Sequence, residues 1–404
     1  MSAGREVYIL GSLRTPRGKG HAGGALAGIT PLSLVEQLLN GLVDSVGLDP
    51  AAVDDIILGS ATQTGAQGAN LARTAALTAG WDHSVAGQTV NRFCASGIDA
   101  IKNAAGLIGS GQADLIVAGG VESVSQAPMF ADRGPLWADA EVISSIGSVH
   151  MGIAADIGAT ELGLTREELD AYGVRTQELA ARAWDRGFFD STLMPVRDAD
   201  GRVVLSRDEL MRPVTAEQLA TLEPAFAALG ADGQDALALE HLPELDRIDH
   251  LHTRGTSPSL ADGAALVVVG TLAAAVRAGL TPLARIVAGA SVGADPVRML
   301  GAGQAAIGCA LTRADLTPDQ MDVVEFAEAF SAFCLKIQRE CGFGDDRFNV
   351  NGGTIAMGHA FGATGAILTI QAVEQLRVGG GRYATAAVSG AAGLGTALIL
   401  EAAR

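Results

Sequence analysis

The stretch Leu48-Asp-Pro-Ala-Ala-Val-Asp54 recurs in diverged form as Leu316-Thr-Pro-Asp-Gln-Met-Asp322, a shift of 268 residues (316 minus 48). The same shift carries Ala95-Ser-Gly97 onto Ala363-Thr-Gly365. Matches that share one offset indicate an internal duplication, although two generic helix-to-strand junctions are the alternative interpretation. The sequence therefore predicts two related halves within one chain.

Each half alternates helical patterns with short apolar runs, such as residues 114–118 and 384–388, which are typical of strands buried on both faces. Because the shift exceeds the size of one copy, further sequence must be inserted between the copies. We predict an α/β fold with a first half at 1–122, completed by about 255–280. An inserted loop domain follows at 123–254, and a second half at 281–404.

Composition narrows the class of protein. A chain of 404 residues with a formal net charge of -17 favours a soluble enzyme and argues against nucleic-acid binding. The four cysteines show no disulfide or zinc spacing, so we expect a reducing compartment and no metal site. The N-terminus resembles no secretory signal, and the apolar stretch 263–276 is too short to span a bilayer. We therefore expect a cytoplasmic protein without a membrane partner.

One cysteine lies where catalysis could use it. Cys94 follows the strand-like run 85–90 and precedes a helical pattern that starts at Ala95. A helix N-terminus favours a thiolate and the oxyanion of a tetrahedral intermediate. A buried structural cysteine is the alternative interpretation.

Two glycine-rich segments in the second half add candidate groups. His359 lies in Gly358-His-Ala-Phe-Gly-Ala-Thr-Gly365, three residues from the position that the duplication equates with Cys94. Two related halves could thus bring a thiol and an imidazole together, and a nucleophilic thiol needs such a base. The turn Val388 to Gly395 could offer backbone N–H groups to a carbonyl oxygen.

These segments resemble the thiolase family over nearly the whole chain. The resemblance rests on Asn91-Arg-Phe-Cys-Ala-Ser-Gly97, Gly119-Gly-Val-Glu-Ser-Val-Ser125 and the His359 segment, in that order. It implies a duplicated core in five layers with an inserted loop domain. It also implies an acyltransferase in which His359 activates Cys94. The cysteine then attacks 3-ketoacyl-CoA, releases acetyl-CoA and passes the acyl group to free CoA, and condensation is the reverse.

The chain departs from the family at three positions. Ser389 stands where the family has a second catalytic cysteine, and a hydroxyl is a poorer acid or base near neutral pH, so we expect condensation to suffer most. Ala327 replaces the Asn or His that helps to place a water in the first oxyanion hole. Pro258 aligns with a serine that contacts the pantetheine, and Ser257 or Ser259 is the candidate substitute.

The resemblance also implies how ligands are held. The family's positions near CoA fall on His150, Arg212, Met299 and Phe330, and the second oxyanion hole falls on the backbone N–H groups of Cys94 and Ala391. It implies CoA as a substrate rather than a permanently bound cofactor, a role in fatty acid metabolism, and a homodimer or homotetramer.

Two other functions stay open at this stage. A ketoacyl-synthase-type condensing enzyme shares the core, although the Gly-His-x-x-Gly pattern at 358–362 argues against it. A CoA- or lipid-binding protein that keeps the fold but has lost turnover is suggested by Ser389 and Ala327, whereas the intact pair of Cys94 and His359 argues against it.

Overall fold

The structure, a computed structural model, describes residues 4–403. The start of the N-terminal segment, for which we predicted no targeting signal, and the outermost residues of both predicted halves lie outside this range.

Twelve strands are present among the described residues. They are β1 Tyr8–Arg14, β2 Gly18–Lys19, β3 Asp55–Gly59, β4 Ala86–Val90, β5 Leu115–Glu122, β6 Val196–Arg197, β7 Val203–Leu205, β8 Ala261–Gly270, β9 Ala284–Gly293, β10 Val323–Phe326, β11 Tyr383–Gly390 and β12 Leu394–Ala402. Every residue of β5 and β8 is buried, as expected for apolar strands that are covered on both faces.

The α-helices, in chain order, are α1 Pro31–Gly41, α2 Leu71–Thr78, α3 Ser96–Gly109, α4 Pro135–Ala138, α5 Ala140–Ile146, α6 Met151–Glu161, α7 Arg166–Asp185, α8 Ala216–Ala220, α9 Ala227–Leu229, α10 Asp235–His241, α11 Leu272–Ala278, α12 Ala302–Ala314, α13 Ser331–Cys341, α14 Thr354–Met357 and α15 Phe361–Gly379. Single 3₁₀ turns cover Pro50–Ala52, Gly65–Gln67, Pro318–Gln320 and Ala391–Gly393, and π turns cover Leu42–Val46 and Gly230–Gln234.

The main sheet has the order β10-β11-β12-β9-β1-β8-β5-β3-β4, with β2 paired to β8. The order is symmetric about the short β1–β9 pairing, because β3, β5, β8 and β1 repeat as β10, β11, β12 and β9 with the same parallel and antiparallel pairs. β5 starts at Leu115 and β11 starts at Tyr383, which is the shift of 268 residues found in the sequence (383 minus 115). Both strands have the same length, so they also end at equivalent positions. The duplication is therefore present in the fold.

Five layers result from this arrangement. Helices α3 and α15 contact each other and the strands of both halves, so they form a central layer. Helices α1 and α2 cover the outer face of the first half, and α12 covers that of the second. The predicted α/β core in five layers is confirmed.

The residues between β5 and β8 add no strand to the main sheet, because β6 and β7 pair only with each other. Helix α7 in this segment is capped by the preceding residue Thr165, whose side chain and that of Glu168 form a capping box. The stretch Ala140–Glu161 is long and apolar enough to cross a membrane, and 56% of the qualifying window is buried inside the protein. Buried core helices pass the same test, so this is weak evidence for a membrane span.

Candidate active site

A cavity of about 250 Å³ lies between the two halves and the inserted segment. Seven of the nine predicted site residues line it: Cys94, His150, Ser257, Phe330, His359, Ser389 and Ala391. We call it the central cavity. Residues that are distant in sequence therefore meet in one concave site.

A tight turn presents Cys94 at the start of α3. The Asn91 side chain accepts from the Phe93 N–H at 2.8 Å, and the Ser96 hydroxyl donates to the Phe93 carbonyl at 2.6 Å. Phe93 has a positive φ of 49°, a conformation that costs a non-glycine residue energy and that these bonds stabilise. The predicted strand-to-helix location of Cys94 is confirmed.

The expectation that this location would favour a thiolate is wrong for the resting protein. Burial, with the nearby Glu122 carboxylate adding to it, raises the pKa of the Cys94 thiol to about 12, and the residue's own backbone N–H only partly opposes this. Cys94 is therefore a neutral thiol until a base removes its proton.

His359 is held through its backbone and its ring. Its N–H donates to the Ser259 carbonyl at 2.9 Å, and its carbonyl accepts from the Ala261 N–H at 3.1 Å. The ring nitrogen Nδ1 lies 2.9 Å from the Thr364 hydroxyl. In the tautomer whose Nε2 is free to accept a proton, Nδ1 donates to Thr364, which therefore orients the base.

An arginine that sequence reasoning missed lies beside this histidine. Arg17 is 1% exposed and donates to the Gly358 carbonyl at 3.3 Å. Burial and the Arg17 charge lower the pKa of His359 to about 4. Asp208, from the inserted segment, pairs with Arg17 at 3.0 Å and with Arg14 at 2.9 Å. His359 is therefore neutral at pH 7 and able to act as a base.

The two halves approach each other through a pair of equivalent glycines. A Cβ added at Gly97 of α3 would lie 2.6 Å from the Gly362 carbonyl oxygen, and one at Gly365 of α15 would lie 2.6 Å from the Ile98 nitrogen. Only hydrogen atoms fit between these backbones. The contact fixes the start of α3, which follows Cys94, against the start of α15, which follows His359.

Glu122 holds the start of α15 from another direction. Its buried carboxylate accepts from the backbone N–H groups of Ala61, Thr62 and Gly362 at 2.8–3.1 Å and from the Gln67 amide at 2.7 Å. Burial nonetheless raises the pKa of Glu122. The carboxylate thus connects the loop after β3 with the first turn of α15.

The Ser389 hydroxyl already has two partners. It donates to the Leu300 carbonyl at 2.6 Å and accepts from the Gly303 N–H at 3.0 Å. The second bond satisfies a free N–H group in the first turn of α12. Ser389 lines the central cavity, but its proton is directed toward Leu300 rather than toward a substrate.

The backbone turn after Ser389 contains an unusual conformation. Ala391 lines the central cavity, and the next residue, Ala392, has a positive φ of 55°. The oxyanion hole of the Cys94 and Ala391 N–H groups stays a prediction. Ala327, the second departure from the family pattern, is buried at the end of β10 and does not line this cavity.

Two of the predicted CoA contacts lie elsewhere. Met299 lines an adjoining chamber on the other side of His150, and Arg212 lines a surface cleft of about 580 Å³. The Arg212 N–H donates to the Gln177 side chain at 3.2 Å, which holds it at that cleft. Their roles toward CoA stay predictions.

The structure places three aromatic residues near the nucleophile. Trp137 and Phe130 belong to the stretch 128–137, whose placement no pattern in the sequence fixes, and Phe93 directly precedes Cys94. Thr364 could have been noticed, since it lies in the same glycine-rich segment as His359.

Comparison with known proteins gives consistent results. The family model described as the thiolase N-terminal domain matches residues 7–232, and the one described as the thiolase C-terminal domain matches residues 280–402. A beta-ketoadipyl-CoA thiolase of Escherichia coli is 37% identical, with 98% of this chain and 99% of that protein covered. An acetyl-CoA acetyltransferase of Cupriavidus necator is 34% identical over the same shares.

Solved structures agree with the sequence relatives. The crystal structure of the Bacillus anthracis acetyl-CoA acetyltransferase superposes with a TM-score of 0.86 at 35% identity, covering 100% of both chains. Human mitochondrial 3-ketoacyl-CoA thiolase in complex with CoA gives a TM-score of 0.85 at 30% identity, covering 99% of this chain and 98% of that one.

Proposed function

The chain belongs to the thiolase family, and from that premise we propose that it cleaves 3-ketoacyl-CoA by thiolysis through an acyl thioester on Cys94. It is a CoA-dependent acyltransferase. The observation that carries the proposal is the central cavity, where Cys94 from one half lies with His359 and Ala391 from the other.

The first half-reaction starts from two neutral groups. The sulfur of Cys94 attacks the 3-keto carbon of the substrate while His359 Nε2 takes the thiol proton. The backbone N–H groups of Cys94 and Ala391 are the donors proposed for the oxyanion. Cleavage of the bond between C2 and C3 leaves the acyl group on Cys94 and releases the enolate of acetyl-CoA.

The enolate must then take up a proton. The Ser389 proton is donated to the Leu300 carbonyl, whereas protonated His359 holds the proton that it took from Cys94. We therefore assign this proton transfer to His359. In the second half-reaction the thiol of free CoA gives its proton to His359 and attacks the thioester. Cys94 leaves as a thiolate and recovers that proton.

The proposal also covers the contacts with CoA, the cellular role and location of the protein, and its oligomeric state. We propose that His150, Ser257 and Phe330 contact CoA near the reacting atoms, since all three line the central cavity, and that Arg212 and Met299 contact more distant parts of the ligand. CoA is used as a substrate, without a permanently bound cofactor. A role in fatty acid metabolism, a cytoplasmic location and a homodimer or homotetramer complete the proposal. Light scattering of the purified protein tests the oligomeric state.

Thiolysis can be measured from the loss of the Mg²⁺-enolate absorbance of a 3-ketoacyl-CoA after addition of CoA. Replacement of Cys94→Ala should abolish this reaction and the acyl adduct seen by intact-mass measurement. Cys309→Ala, which changes a thiol outside the central cavity, is the matched control and should keep both.

A wild-type protein that binds acyl-CoA but forms no adduct and cleaves no 3-ketoacyl-CoA would refute the proposal. That result would favour the CoA- or lipid-binding protein without turnover.

A further inference from the structure

A second space lies beside the central cavity, and we call it the side chamber. It has a volume of about 220 Å³, and its apolar wall is formed by Phe130, Leu136, Trp137, Ile143, Met151 and Met299. A narrow passage lined by Phe93, Met129 and Trp137 connects it with Cys94. Met151 and Ala391 border all three spaces, so the side chamber adjoins the cavity that contains Cys94.

Three aromatic rings shape the entrance to the side chamber. The Trp137 ring lies 5.3 Å from the Phe93 ring in an edge-to-face arrangement and 4.9 Å from the Phe130 ring, measured between centroids. The indole N–H donates to the Asp132 carboxylate at 2.9 Å, which leaves the apolar faces of Trp137 for contact.

None of the described residues that line the passage or the side chamber is Lys, Arg, Asp or Glu. Gln234 is a polar residue of the wall, and its side-chain oxygen already accepts from the His150 N–H at 2.8 Å. Burial lowers the pKa of His150, so this lining residue is uncharged at pH 7. The carboxylate of Asp132 beside Trp137 carries the wrong sign to hold an anion.

From this geometry we infer that the side chamber holds an uncharged, apolar acyl tail of about six carbons, alkyl or phenyl, and excludes a tail that ends in a carboxylate. The inference rests on the proposed function and names its substrate class. An apolar cavity of about 150 Å³ is enough to hold benzene, which sets the scale for the 220 Å³ present here. Several relatives are named for beta-ketoadipyl-CoA, whose acyl tail carries a carboxylate, so specificity has diverged from theirs.

The test compares thiolysis of 3-ketooctanoyl-CoA, a 3-ketoacyl-CoA with a terminal phenyl group, and 3-oxoadipyl-CoA. We expect kcat/KM for the carboxylate-terminated substrate to be lower by about tenfold or more, because no cationic side chain among the described residues that line the side chamber pairs with its charge. The alkyl and phenyl substrates show which apolar tail fits better. Faster turnover of either one than of 3-oxoadipyl-CoA supports the inference.

A charge introduced into the wall should reverse this preference. Ile143→Arg should raise kcat/KM for 3-oxoadipyl-CoA by about tenfold and lower it for 3-ketooctanoyl-CoA. Ser145→Arg adds the same charge on the exposed side of the same helix, α5, and should change neither value. Measurable turnover of all three substrates with equal kcat/KM by the wild type, or equal effects of the two arginines, would overturn the inference.

Binding separates this inference from the proposed reaction. Titration calorimetry with octanoyl-CoA and adipyl-CoA, neither of which has a 3-keto group, reports on the side chamber without turnover. If no 3-ketoacyl-CoA is cleaved but octanoyl-CoA binds at least about tenfold more tightly than adipyl-CoA, the assignment of the side chamber stands and thiolysis is refuted. If adipyl-CoA binds as tightly as octanoyl-CoA, the assignment is wrong.

Discussion

Replacement of Gly97→Ala should weaken both catalysis and folding, because it separates helices α3 and α15, whose starts follow Cys94 and His359. The added Cβ would lie 2.6 Å from the Gly362 carbonyl oxygen and 2.8 Å from the Ala366 nitrogen, both of them backbone atoms. Ordinary contact begins at 3.4 Å, so α3 and α15 must part by about 0.8 Å (3.4 minus 2.6). A side-chain rotation cannot relieve either contact.

Two magnitudes follow from this displacement. Overpacking of a close contact costs about 1–3 kcal/mol of unfolding free energy. A shift approaching 1 Å between reacting groups lowers the rate by about 10- to 100-fold. We therefore expect kcat of thiolysis to fall by that factor and the melting temperature to fall by several degrees, measured by the enolate assay and by calorimetry.

Gly106→Ala is the matched control on the same helix. An added Cβ there meets nothing within 4 Å, and alanine favours a helix over glycine by about 0.5–1 kcal/mol. This variant should be slightly more stable and fully active. Normal activity and stability of Gly97→Ala would refute the reasoning, as would losses of the same size in Gly106→Ala.

Four further predictions concern three residues of the site. Ser389→Ala removes the partner of the Gly303 N–H, so thermal denaturation should show a loss of about 1–2 kcal/mol, while kcat should stay within about threefold; a larger fall in kcat would assign Ser389 the proton transfer. The acid limb of kcat/KM should lie near pH 4 rather than 6.5, because catalysis needs neutral His359 and its folded-state pKa is lowered to about 4. Stability should decline as the pH falls from 6.5 toward 4, since the unfolded chain binds a proton there that folded His359 does not, and His359→Asn should lessen that decline. Ala392→Gly should raise the melting temperature by relieving about 1 kcal/mol of strain at its positive φ, and an unchanged value would count against that strain.

Much of the fold follows from one property of the sequence. A duplication leaves the same offset wherever the two copies retain a pattern, so the shift found between residues 48 and 316 also relates β5 to β11. The central helix layer then follows, because Ala95-Ser-Gly97 and Ala363-Thr-Gly365 mark the starts of both of its helices.

The features of the site that could not be predicted from the sequence depend on burial and on three-dimensional proximity. The pKa of Cys94 depends on burial and on Glu122, which comes from another strand, and these outweigh the helix start that the sequence reveals. Arg17 reaches His359 across 342 positions (359 minus 17), and no periodicity predicts such an approach. Most of the wall of the side chamber comes from the inserted segment, which has no counterpart in the other half to guide its placement.

The position of β1 in the sheet has a consequence during protein synthesis. β1 lies between β8 and β9, and Arg14 pairs with Ala265, so its first neighbouring strand emerges about 250 residues later (265 minus 14). Before that, only Arg14 at its end has a backbone partner among the described residues, the bridge to Leu193. At ribosomal rates of about 5–20 residues per second, this apolar strand waits roughly 12–50 s for a partner. An unpaired strand edge invites pairing with other chains over that time. The nascent chain is therefore a natural client for a chaperone that shields β1 until β8 has been made.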